Sequence, residues 1–166
     1  LYIDYQEESD SNGFRKLNME KIASIIGYFA HFVNHLYKVK LMKLLWYADA
    51  LHFRRYGTSM TGLVYQHRKY GALPIGFEEI IYLPTVKVIE ETIYDDIGYR
   101  IIPNQEVRIS DFSFNELQVL ETITTKFRDF RSRDMVTYMH KEKGYTDVEP
   151  NEIIPYSVAK NLKDLT

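Results

Sequence analysis

The feature that most constrains this chain is a carboxylate set where an apolar side chain belongs. From Val39 to Tyr56 the sequence reads as one helix, stopped by Gly57, a residue suited to a helix C-terminus. At about 100° per residue, Leu41, Met42, Leu45, Phe53 and Tyr56 share one face, and Lys40, Lys43, Tyr47, Arg54 and Arg55 lie on the other. Asp49 falls in the middle of the apolar face. A carboxylate buried without partners is costly, so some group must hydrogen-bond it. The candidates are His52 one turn on, a basic side chain of the run His67-Arg68-Lys69, or backbone amides. Asp49 is then either part of an acid/base or ligand site, or a structural pin that orients the turn at Tyr70-Gly71. Catalysis needs a second group of shifted pKa, and none is evident, so the pin is the reading adopted here.

Around this helix the pattern is mainly helical. Ile22, Ile26, Phe29, Ala30 and Val33 recur at three- and four-residue steps after Asn18, while Ser24, Gly27, His31, Asn34, His35 and Lys38 follow the same steps on the other side. That predicts an amphipathic helix of about five turns. A short strand is expected within 62–68, a turn over 70–74, and a third helix from Pro74 to Tyr82. Thr92 to Val107 suggests a β-hairpin or irregular strand pair. Ser113 and Glu116 have the spacing of a capping box, which opens a helix carrying Leu117, Leu120, Ile123, Thr124 and Phe127 to about Phe130. A short helix follows from Ser132 and ends before Gly144, and Pro155 starts a last one to Leu162. The expectation is a mainly α (α+β) fold, a multi-helix domain over 18–166 with a small β element inserted. Residues 1–17, acidic and poor in core-forming side chains, are expected to be a linker or arm, with an upstream region preceding it.

Net charge is −2, from 21 basic and 23 acidic side chains. Nucleic-acid binding draws on Lys/Arg contacts with phosphates and usually shows as a basic excess, so direct nucleic-acid binding is not expected of this segment. With no cysteine, the chain has no disulfide, no cysteine-ligated zinc and no thiol nucleophile. No apolar run reaches the roughly 18 residues that span a membrane, so no membrane partner is expected and the location expected is cytoplasmic. The 14 Tyr and 9 Phe are an unusual aromatic share; tyrosine suits protein interfaces, but a typical ring here is expected to pack the core.

His31 and His35 stand four apart, a spacing that can place two imidazoles on one metal, but the metalloprotease pattern needs Glu where Phe32 stands. They are expected to be solvated histidines, with no metal. There is no G-x-S-x-G elbow, no phosphate-cradling G-x-x-x-x-G-K and no G-x-G-x-x-G. The acidic pairs Glu78-Glu79, Glu90-Glu91 and Asp95-Asp96 read as solvated surface. No enzyme and no cofactor is expected from these residues.

The run Lys40-Leu41-Met42-Lys43-Leu44-Leu45-Trp46-Tyr47-Ala48-Asp49 resembles the signature helix of the Panacea, or SocA-like, antitoxin family, K-L-x-K-L-L-[YW]-Y-A-D, at every fixed position. Gly57 matches a glycine near the helix end. Lys69-Tyr70-Gly71-Ala72 is similar to the family's closing Y-G-P, with Ala72 in place of proline. His140 and Ile154-Pro155-Tyr156 are similar to a C-terminal histidine and I-P-Y element, which extends the resemblance from about Asn18 to Leu162.

What the resemblance implies is a protein-binding domain of bacteria and phages that neutralises a cognate toxin by direct contact. Delivery of the toxin to a AAA+ protease is one mode in such families, and some members carry an N-terminal DNA-binding region. A regulatory or scaffold domain of a mobile element is the alternative, and a metal-dependent hydrolase using His31 and His35 a distant third. Lys43, Tyr47, Arg54 and Arg55, read as exposed, are the expected partner contacts, while Asp49 and Tyr70 are expected to hold the helix against the turn.

Overall fold

The computed structural model describes residues 1–165. Helix α1 (Met19–Phe32) is capped by Asn18, whose side chain accepts from Lys21 N, and α2 (Lys38–Tyr56) ends at Gly57 in the left-handed conformation, φ 82°. Two hairpins follow. The first pairs β1 (Tyr65–Arg68) with β2 (Gly71–Pro74); the second pairs β3 (Val86–Ile93) with β4 (Asp96–Pro103). The one-turn helix α3 (Phe77–Ile80) separates them. Then come α4 (Phe114–Phe127), α5 (Ser132–Met139), α6 (Lys143–Thr146) and a closing 3-10 turn at Tyr156–Asn161. The mainly helical α+β fold expected from the sequence is the fold observed.

The centre is α2, which is not amphipathic in place. Lys40 through His52 are all buried, because α1, α4, α5, the first hairpin and the closing turn pack on different sides of it. An element enclosed all round needs apolar side chains on every side, and its polar groups must find partners inside. The first hydrophobic face of α1, Ile22, Ile26 and Phe29, is fully buried beside it. The capping box at Ser113 is present, with Glu116 returning the bond to the Ser113 amide.

Several expected elements shift. The first helix ends at Phe32, one turn early, because Asn34 turns outward to donate its amide to Arg128 O and His35 takes φ 57°. His31 and His35 therefore do not share a helix face; His31 instead lies 2.9 Å from Gln105 O. Pro74 ends β2 opposite Tyr65 rather than starting a helix, a position where its missing N–H costs little. The second hairpin begins at Val86, six residues before the strand expected at Thr92, since Val86 and Val88 supply its inward face. The segment expected to be an arm is strapped to the domain: Asn12 is fully buried, and Asp10 accepts from the amide and hydroxyl of Ser157.

Candidate partner-binding groove

Each buried polar group of α2 ties down a different connecting segment. Lys40 Nζ donates to three backbone carbonyls, Asn34 O (2.7 Å), Arg128 O (3.0 Å) and Phe130 O (2.5 Å), and so fastens the start of α2 to the link between α4 and α5. Burial draws its pKa down to about 8, against the pull of Asp129 and Asp134. Tyr47 donates its hydroxyl to Glu142 Oε1 at 3.3 Å, and Glu142 Oε2 accepts from Lys163 N. Burial raises the pKa of both partners. His52 Nδ1 lies 2.6 Å from Thr58 O.

Asp49 has the densest set. Its Oδ1 accepts from Met60 N (2.8 Å) and Thr61 N (3.1 Å), and its Oδ2 from the hydroxyls of Thr61 (2.6 Å) and Tyr65 (2.7 Å). Of the partners foreseen, backbone amides serve, but neither His52 nor the basic run does. The pinned segment is also different: Asp49 holds the 59–65 loop, not the turn at Tyr70-Gly71. Burial still raises its pKa, with the four hydrogen bonds pulling the other way. Tyr156 packs beside Tyr65 and donates to Leu63 O at 2.6 Å, so the I-P-Y element closes over the same loop. Leu41, Leu44, Leu45 and Trp46 are core residues, all with at most 2% exposure.

The turn at Lys69-Tyr70 is held from another side. His140 bridges Val136 O (2.7 Å) and Lys69 O (3.2 Å), and Tyr145 donates to Arg68 O while stacking on His67. Gly71 sits at φ 133°, and a Cβ there would lie 2.6 Å from both Lys43 Cε and Met139 Sδ. The left-handed backbone favours glycine, and a Cβ would also have to displace the buried ends of Lys43 and Met139. Tyr70 itself does not brace the helix; it is 58% exposed.

The exposure expected for Lys43 and Tyr47 is corrected. Lys43 is 3% exposed and Tyr47 fully buried, because β2 and α5 cover the side of α2 that the sequence pattern left polar. Arg54 is exposed but donates to Leu162 O and Leu165 O, and Arg55 reaches Thr122 Oγ1.

A groove lies where both hairpin tips meet the starts of α2 and α5, with a volume of about 1090 Å³. Each tip is a two-residue loop, Lys69-Tyr70 and Tyr94-Asp95, and each presents one tyrosine, Tyr94 being 96% exposed. Val39, Ile93 and Ile97 add exposed apolar surface. Six cationic side chains line the groove, Lys38, Lys43, Arg68, Lys69, Arg131 and Arg133, against two carboxylates, Asp96 and Asp134. None of the six is in an ion pair among the described residues. Sequence reasoning missed Arg131, Arg133 and Tyr94. The signals were an Arg-Ser-Arg run at a helix start and a tyrosine at a hairpin tip, but only the fold brings them beside Lys69 and Tyr70. No group of three or more His, Asp or Glu side chains suited to a metal ion occurs among the described residues. No helix among them is long and apolar enough to cross a membrane.

Fold and site together define a small helical domain organised on one enclosed, polar-studded helix, with an open cationic and aromatic groove at one end of it. The family model for the antitoxin SocA-like, Panacea domain matches residues 41–145, from the first leucine of that helix to the tyrosine that holds the hairpin turn, and the chain belongs to this family. Comparison with curated proteins and with solved structures gave no significant match.

Proposed function

We propose that this domain is an antitoxin-type binding module that neutralises a cognate toxin protein by direct contact, with the groove as its contact surface. The observation that carries the reading is the composition of the groove: exposed rings at two hairpin tips among six cations that no carboxylate pairs among the described residues. Aromatic side chains and arginine are enriched at protein interfaces. Membership of an antitoxin-like family supplies the class of partner. The polar positions of the signature helix serve the fold rather than chemistry, which supports a binding role without a catalytic step or cofactor. The toxin is then held inactive, or handed to a AAA+ protease; both begin with the same contact.

The test is co-expression of the chain with the protein encoded beside its gene, scoring growth and co-purification together. Rescue of a neighbour that is toxic alone, with a complex that survives purification, is the expected result. A toxic neighbour that is neither bound nor relieved overturns the reading. If the neighbour is harmless, the domain is a regulatory or scaffold module instead.

A further inference from the structure

The groove has a floor as well as a rim, and two polar groups on the floor are under-used. Lys43 Nζ carries three donors and makes one hydrogen bond, to Ala72 O at 3.2 Å. Burial alone shifts its pKa, down to about 8, because no charged group lies near enough to counter it. Ser132 Oγ, at the first residue of α5, is buried and has no hydrogen-bond partner. Buried polar groups are almost always satisfied within the protein, so two incompletely satisfied ones on one groove mark a place left for an outside group. Both can take an acceptor: an ammonium can only donate, and a free hydroxyl can donate to an anion.

We propose that the groove receives an acidic segment of the partner protein. Carboxylates of that segment seat on Lys43 Nζ and Ser132 Oγ, and its apolar side chains lie against Tyr70, Tyr94 and Ile97. This deepens the binding reading above and rests on it. The rim suits such an occupant: Arg68, Arg131 and Arg133 stand outside any ion pair among the described residues and can meet further carboxylates. The surroundings disfavour a nucleic-acid strand, the other anionic polymer. Such a strand needs a cationic track beyond the groove, but the neighbouring hairpin carries Glu90, Glu91, Asp95 and Asp96, and the whole chain is net negative. A short segment with its acid on the floor avoids that repulsion.

The test pans a random 12-residue peptide library on the purified chain and measures selected peptides against three proteins: the wild type, Lys43→Met and Arg131→Glu/Arg133→Glu. Lys43→Met keeps the side-chain volume and removes a buried charge, so its folding is retained; the double variant changes only exposed residues. The expected result is enrichment of peptides that combine Asp or Glu with aromatic or aliphatic residues. Each variant binds them at least tenfold more weakly, and rising salt weakens the wild-type complex. Enrichment of neutral or basic peptides, no enrichment, or affinities that the variants leave unchanged overturns the inference. So does a labelled 20-nucleotide single strand that binds tighter than any peptide and is lost in the same variants. Co-expression with the neighbouring gene product separates the two claims. Rescue that both variants retain removes the acidic-segment inference and leaves the antitoxin reading standing. Failed rescue by the wild type, beside selected acidic peptides, does the reverse.

Discussion

Thr61 holds Asp49 twice, once through its backbone amide at 3.1 Å and once through its hydroxyl at 2.6 Å. With Met60 N and the Tyr65 hydroxyl, this turns a single carboxylate into the organising point of the link between α2 and the first hairpin. The consequence is a division within one helix. Its leucines and Trp46 supply burial, and Lys40, Asp49 and His52 each hold a piece of backbone while Tyr47 holds the Glu142 side chain.

Replacing Asp49 by Ala leaves two buried amides and two buried hydroxyls without their acceptor. The cost expected is about 3–5 kcal/mol, the range for losing one partner of a buried charged network. Asp49→Asn keeps the shape and one acceptor oxygen, so its loss is smaller, about 1–2 kcal/mol. Urea unfolding of the three proteins checks this; an Asp49→Ala variant as stable as the parent refutes the pin.

At Gly71 the constraint is geometric. An alanine must adopt φ 133° and push against Lys43 Cε and Met139 Sδ, both 2.6 Å from the added carbon. A destabilisation of about 2 kcal/mol or more is expected for Gly71→Ala, while Gly57→Ala, where no atom lies within 4 Å of the added carbon, costs less, about 1 kcal/mol from its left-handed backbone. Thermal melts of the two variants side by side test the ranking.

What the sequence made legible followed from local rules. The caps at Asn18 and Ser113, the stop at Gly57 and the burial of Asp49 depend on residues close in the chain or on helical period. What it hid depends on who covers whom. Periodicity put Lys40, Lys43 and Tyr47 on a polar face, but α2 is enclosed from every side, and a long side chain with an internal acceptor can be buried as readily as a leucine. The groove was hidden for a related reason. Its cations come from β1, the first turn, α2 and α5, so no window of sequence contains them, and the overall charge of −2 masks a local excess. The first hairpin was missed because Pro74 was read as a helix start and not as a strand end.

Lys43 gives the domain a pH signature. Its pKa is about 8 in the folded protein and near 10.4 when unfolded, so between these values the unfolded chain holds a proton that the native one has released. More protons bound in the unfolded state means stability that rises with pH across that window, by at most about 3 kcal/mol for this group. Tyrosines titrate in part of the same range, so the quantity to measure is the difference between wild type and Lys43→Met. Lys43→Met is expected to be the more stable of the two at pH 7, and its lead to shrink as pH goes from 8 to 10. A difference that stays constant over pH 7–10 rules out a buried ammonium of depressed pKa.

The last prediction separates two surfaces. Arg54 and Arg55 remain proposed contacts at the opposite end of α2 from the groove, and Arg54 already anchors the carbonyls of Leu162 and Leu165. Truncating Arg54 therefore acts first on the C-terminal segment, and a loss of binding through it comes with a lower melting temperature. Tyr70 and Tyr94 stand at hairpin tips, 58% and 96% exposed, with little of the fold resting on them. The double variant Tyr70→Ala/Tyr94→Ala is expected to melt within about 0.5 kcal/mol of the parent, as exposed substitutions do. Its affinity for the toxin is expected to fall at least tenfold, the loss of two aromatic anchors at about 1 kcal/mol or more each. Calorimetric titration and melting of both variants settle which surface is the contact. Binding that survives the tyrosine pair but fails with Arg54→Ala at unchanged stability moves the interface to the far end of α2.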